Sequence, residues 1–108
     1  MKTLRVSISH AVNELNKLLL VTISEEDEHQ VRKLRRIYFD LFEAVIIQEI
    51  DNKTQDFKEA MTALNSARNA AKKAKRDVEK LTGAIQKAGI AAKAVDKIVN
   101  IGIKLPVS

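Results

Sequence analysis

The chain contains no cysteine and no tryptophan among its 108 residues. Without thiols, disulfides, thiolate nucleophiles and cysteine-ligated zinc or iron–sulfur centres are excluded. Proline occurs once, at Pro106, and glycine three times, at Gly83, Gly89 and Gly102. The first 82 residues therefore hold neither of the two strongest helix breakers, which points to long helices. The same scarcity removes glycine-rich phosphate loops over most of the chain, and no Asn-Gly or Asp-Gly hairpin turn occurs. Aromatic residues number four, Tyr38, Phe39, Phe42 and Phe57, too few for a base-stacking platform.

Long apolar runs are missing as well. The longest span four residues, 18–21 and 44–47, against the roughly 20 that a membrane-crossing helix requires. Lys2 and Arg5 could open a secretory leader, but His10, Asn13, Glu14, Asn16 and Lys17 break up the segment that would have to be apolar. The expectation is a soluble, cytoplasmic protein of one helical domain covering 1–108.

What is present is helical patterning. Leu4, Ile8, Ala11, Leu15 and Leu18 recur in steps of four and three, one face of a helix over about 3–20. Ser24 is a good N-cap, and Glu25, Glu26, Asp27 and Glu28 come next, on the positive end of the second helix dipole. That second helix is expected over about 25–50. Between Ile37 and Ile47 it is apolar over most of its circumference, with Arg36, Asp40 and Glu43 as a narrow polar stripe. Leu34, Ile37, Leu41, Phe42 and Val45 are the expected anchors. One neighbouring helix cannot cover so much apolar surface, so the pattern asks for a bundle or an oligomer.

Asp51-Asn52-Lys53-Thr54 reads as a turn, and a heptad seam begins after it. Phe57, Ala60, Leu64, Ala67, Ala71, Ala74, Val78, Leu81, Ile85, Ala88, Ala92, Val95 and Val99 alternate steps of three and four. All 13 are apolar, against 8 of the other 30 residues between 57 and 99, so chance composition does not explain the seam. Ala67, Ala71 and Ala74 are expected as close-contact positions, since small side chains let helix axes approach to about 8 Å. Helix lengths favour a break near Gly83 or Gly89, giving helices over about 54–82 and 84–101. The unbroken phase favours one continuous or kinked rod instead, and this is the preferred reading. The fold class is all-α: an antiparallel bundle or long hairpin of three to four helices, completed by oligomerisation.

Chemistry-bearing groups are few. Glu26 and His29 have the Glu-x-x-His spacing of helix-bundle metal sites, but His10 lacks the matching glutamate, so the pair reads as an acid-rich helix start. Ser7 or Ser9 beside His10 has no nucleophile elbow or oxyanion turn near it. No enzyme, metal or cofactor is expected.

Charge is uneven, net −1 over residues 1–50 and +6 over 51–108. One basic group is Arg32, Lys33, Arg35 and Arg36; another is Arg68 with Lys72, Lys73, Lys75 and Arg76. The leading functional reading is a non-catalytic interaction protein that associates with itself or clasps helices of another protein. Two alternatives accompany it. Lys72, Lys73, Lys75 and Arg76 could contact a nucleic-acid backbone. Residues 83–105 resemble cationic amphipathic membrane-surface peptides in composition, with Lys93, Lys97, Asn100 and Lys104 on one face.

Overall fold

The computed structural model describes residues 3–21, 23–48, 50, 51 and 53–105. Lys2, Thr22, Glu49, Asn52 and Pro106, which fall within the sequence features and helix ranges expected for this chain, lie outside the described set. Four helices form: α1 (Leu4–Leu18), α2 (Glu25–Ile47), α3 (Gln55–Arg76) and α4 (Leu81–Val99). No strand occurs among the described residues.

Each of the first three helices starts on a hydroxyl cap. Thr3 accepts from the Val6 amide, Ser24 from Asp27 and Thr54 from Phe57, at 3.2, 3.1 and 3.1 Å. In each case an amide left free in the first turn gains a partner. The expected face of α1 is buried in full, from Leu4 and Ile8 through Ala11, Leu15 and Leu18. On α2 the buried line is Val31, Leu34, Tyr38, Leu41 and Val45, with Ala44 beside it. Ile37 and Phe42, expected as central anchors, are half-buried flanks of that line.

The seam of the second half lies inside, but not along one rod. A continuous or kinked helix through residue 81 is overturned: the chain reverses at Asp77, and Gly83 and Gly89 both sit within α4. Asp77 is extended (φ −142°, ψ 97°), and its carboxylate accepts from the Glu79 amide at 3.1 Å. One 3-10 turn, Val78–Lys80, completes the reversal. The reason is local. Lys73, Lys75 and Arg76 favour a helix C-terminus, and a cap-forming Asp comes directly after them. Apolar periodicity records only which residues avoid water, so both arms of a hairpin can keep one phase. Val78, the seam residue at the corner, is the exposed exception.

The arms of that hairpin make the most extensive helix contact in the molecule. They are antiparallel: Lys97 near the end of α4 reaches Asp56 and Glu59 at the start of α3, at 3.4 and 3.9 Å. Ala60, Ala67, Ala71 and Ala74 of α3 and Ala84, Ala88, Ala91 and Ala92 of α4 are all buried. Around the bundle the helices neighbour one another in the order α1, α2, α4, α3. The antiparallel α1–α2 hairpin thus lies alongside the antiparallel α3–α4 hairpin, with α1 beside α3 and α2 beside α4. The described chain measures 39 × 25 × 20 Å, close to the ~34 Å that α2 alone spans at 1.5 Å per residue.

Beyond α4 the chain turns back. Asn100 adopts a left-handed conformation (φ 57°) and Gly102 another (φ 74°), the latter a position where any side chain is strained. The Asp96 carboxylate accepts from the amides of Ile101, Gly102 and Ile103 at 2.8, 3.1 and 3.2 Å. This carboxylate clamp lays Ile103 and Leu105 against the core, with Leu105 over Gly89. The left-handed stop is thus Asn100, and neither Gly83 nor Gly89 ends a helix.

Overpacking the close face should be felt at once. Ala71→Leu is expected to lower unfolding free energy by about 1–3 kcal/mol, since the surrounding helices must move apart. Urea denaturation followed by circular dichroism measures this, with the exposed Lys72→Leu as the control for added apolar bulk.

Candidate interaction surface

Among the described residues two buried polar groups stand out, and both join helices. Glu14 of α1 is 2% exposed. The Lys75 ammonium of α3 straddles its carboxylate, 3.5 Å from Oε1 and 3.3 Å from Oε2, and Lys17 lies 3.3 Å from Oε1. Oε2 accepts no well-directed hydrogen bond and is compensated by charge alone. Burial pushes the Glu14 pKa up, but hydrogen bonds and charge from Lys75 and Lys17 outweigh it, leaving the carboxyl below its usual 4.5. The second group is Tyr38, whose hydroxyl donates to the Ala88 carbonyl of α4 at 2.7 Å. Burial raises the Tyr38 pKa far above its ordinary value of 10, so the phenol stays protonated and keeps donating. Both groups hold the fold.

Of the expected basic patch, Lys72, Lys73 and Arg76 are exposed, and Lys75 is drawn toward α1. Lys73 lines a cleft between α3 and α4 together with Lys80, Lys87, Glu79, Ser66 and Asn69. At about 100° per residue Lys72, Lys73 and Arg76 share one side of α3, and Lys75 lies on the flank that meets Glu14. A further grouping is Lys73 of α3, Lys80 of the corner turn and Lys87 of α4, spaced by seven residues.

Ser7 and His10 do line one shallow groove, with Asn65 and Arg68 of α3, but no carboxylate is among the lining residues. Among the described residues no three His, Asp or Glu side chains gather in a way that could hold a metal ion. No described helix is long and apolar enough to cross a membrane. In the stretch 83–105, Ala84, Ile85, Ala88, Ala91, Ala92, Val95 and Val99 are buried in the bundle, so its apolar face is already occupied. Lys97 on the opposite face pairs with Asp56 and Glu59, leaving Lys93, Asn100 and Lys104 among its exposed polar residues.

Ala67, Ala71, Ala74, Leu34, Leu41 and Val45 are buried within this one chain. What remains outside on α2 is Ile47, at its last position, and a line of three residues. Phe39 is 49% exposed and Ile46 52%, with half-buried Phe42 between them. Spacings of three and four put Phe39, Phe42 and Ile46 on one stripe, continued one turn earlier by Arg35. Arg35 donates to Asn16 Oδ1 at 2.9 Å, which places this stripe on the side of α2 next to α1. Singly exposed apolar residues such as Leu20 or Ile90 are ordinary on a protein surface; three aligned ones, two of them aromatic, are not. The stripe was hidden in the sequence because residues 37–47 are almost uniformly apolar, so no period separated inside from outside.

The interior ion pair makes stability pH-dependent. Because the folded-state pKa of Glu14 lies below its unfolded value, its stabilisation is fully present above about pH 4.5 and is lost as pH falls through the folded pKa. Glu14→Gln should therefore flatten acid unfolding in that window, and Lys75→Met should destabilise at neutral pH. The latter effect should stay below the roughly 3–5 kcal/mol seen for fully enclosed pairs, because Lys17 remains and Lys75 is partly open. Melts of both variants from pH 3 to 7, on the order of the carboxylate range, test the sign.

No family model, no curated protein and no solved structure matches this chain.

Proposed function

We propose that the protein is a non-catalytic helical interaction module, acting by self-association or by clasping a partner helix, with the outer stripe of α2 as its docking face. The observation that carries the reading is the alignment of Phe39, Phe42 and Ile46 on a helix whose other apolar side chains, apart from exposed Ile47 at its last position, are largely packed inside. A stripe at spacings of three and four is matched by the apolar face of another helix, whose own residues recur at the same steps. Arg36 and Glu43 border it with charge, the polar rim expected around an apolar contact.

A second reading, binding of a polyanion, is favoured by the convergence of Lys73, Lys80 and Lys87 on one cleft. It calls for affinity that falls steeply with salt. The apolar stripe plays no part in it, so the two readings separate cleanly.

The paired substitution Phe39→Ser and Ile46→Ser tests the docking face. Both side chains are half-exposed, so the thermal melt is expected to stay close to that of the native chain. Sedimentation of the chain alone, and calorimetric titration with a synthetic amphipathic helix carrying leucine at steps of three and four, measure association. At least one should show binding with the native chain and lose it with the double variant. Absence of both, or binding indifferent to the substitutions, overturns the reading.

A further inference from the structure

We infer that the occupant of the α2 stripe is the α2 helix of a second copy, lying antiparallel across a two-fold axis and locked by reciprocal Arg36–Glu43 ion pairs. The inference rests on the docking face proposed for α2 and names its partner.

The argument begins with which flank of the stripe is free. Assigning heptad positions with Phe39 and Ile46 at a and Phe42 at d puts Arg35 at d. Position g is then Tyr38 and Val45, both buried within the chain's own bundle. Position e is Arg36 and Glu43, both exposed, Arg36 with 81% of its side chain open. Charge readout across this interface is therefore confined to the e flank.

That restriction selects orientation. In a parallel pair the e flank faces the partner's g flank, here the buried Tyr38 and Val45. In an antiparallel pair, e faces e, and Arg36 of each copy meets Glu43 of the other. One helix thus carries both halves of a charge pattern that is complementary to itself, as an isologous interface demands. The same alignment layers Phe39 on the partner's Phe42 and Phe42 on the partner's Phe39. Two aromatic layers then form at the centre, where interface energy concentrates. Ile46 falls against the aliphatic stem of the partner's Arg35, whose guanidinium stays with Asn16.

Within one chain Arg36 has only a loose contact, 3.8 Å to Asp40 between two exposed groups, so little is lost when it turns to a partner. A foreign helix would need no such symmetry of charge on the host.

Charge exchange tests the orientation. Arg36→Glu makes the e flank uniformly acidic and Glu43→Arg makes it uniformly basic, so each variant alone should repel its own copy. Sedimentation over a concentration series, up to millimolar protein, is expected to show a native dimer. Each single variant should dissociate at least about tenfold more readily, two rim pairs having been turned from attraction to repulsion. An equimolar mixture of the two variants should recover the native dissociation constant, and so should the doubly exchanged chain. All three variant chains are expected to melt as the native chain does, because both side chains are exposed.

A native dimer that ignores the exchanges, or single variants that the mixture does not rescue, overturns the antiparallel pairing. If such a dimer still responds to Phe39→Ser and Ile46→Ser, the docking face survives. A native chain that stays monomeric throughout overturns the second copy as occupant. Binding of the synthetic helix then decides the docking face separately.

Discussion

The close approach of α3 and α4 governs the rest of the architecture. Both helices bury runs of alanine, 60, 67, 71 and 74 on one and 84, 88, 91 and 92 on the other, and small side chains let two rods come close. A thin hairpin of this kind cannot fill a core by itself. Its own Leu64, Leu81, Ile85, Val95 and Val99 add volume, and the other hairpin supplies Leu4, Ile8, Leu15 and Leu18 of α1 with Leu34, Tyr38 and Leu41 of α2. Small residues beside large ones are what let a core interdigitate to native density. The same division leaves α2 with an outward flank, because α1 and α4 occupy only its inner sides.

Polar interactions then register the hairpins against each other. Packing of smooth alanine faces fixes distance but is tolerant of sliding. Glu14 with Lys75 ties α1 to α3, and Tyr38 with the Ala88 carbonyl, joined by Gln48 donating to the Val99 carbonyl at 3.0 Å, ties α2 to α4. Electrostatics at the bundle end reinforce this. The C-termini of α1 and α3 carry Lys17, Lys73, Lys75 and Arg76, while the N-terminus of α2 carries four acids, each sign at the dipole end that favours it. The Asp96 clamp adds cover to one side of α4 without a fifth helix.

Much of the fold is legible in one dimension. The absence of early Gly and Pro, the face of α1, the Ser24 cap and the heptad seam all describe what the helices do locally, and local physics is written residue by residue. Pairing is not. The seam is continuous through Asp77, yet the chain folds there, because a cap-forming Asp after a basic turn outweighed two glycines that a helix tolerates at about 1 kcal/mol each. The two sides of α2 were indistinguishable for a related reason. Phe39, Phe42 and Ile46 differ from Leu34, Tyr38 and Leu41 only in which neighbour lies opposite, and that depends on where the other hairpin docks. The basic residues were legible in part: Lys72, Lys73 and Arg76 are exposed on α3, but the inward turn of Lys75 to Glu14 and the meeting of Lys73 with Lys80 and Lys87 at one cleft depend on where the neighbouring helices dock.

The bond from Tyr38 to Ala88 has an optical consequence. With no tryptophan and a single tyrosine, nearly all near-ultraviolet absorbance and intrinsic emission of the chain originates from this one phenol. Its ring is enclosed and its hydroxyl is engaged only when the two hairpins have come together. Far-ultraviolet dichroism tracks the helices of either hairpin. The tyrosine spectrum tracks their union, so the molecule carries a label-free gauge that separates the assembly of its halves from the winding of their backbones.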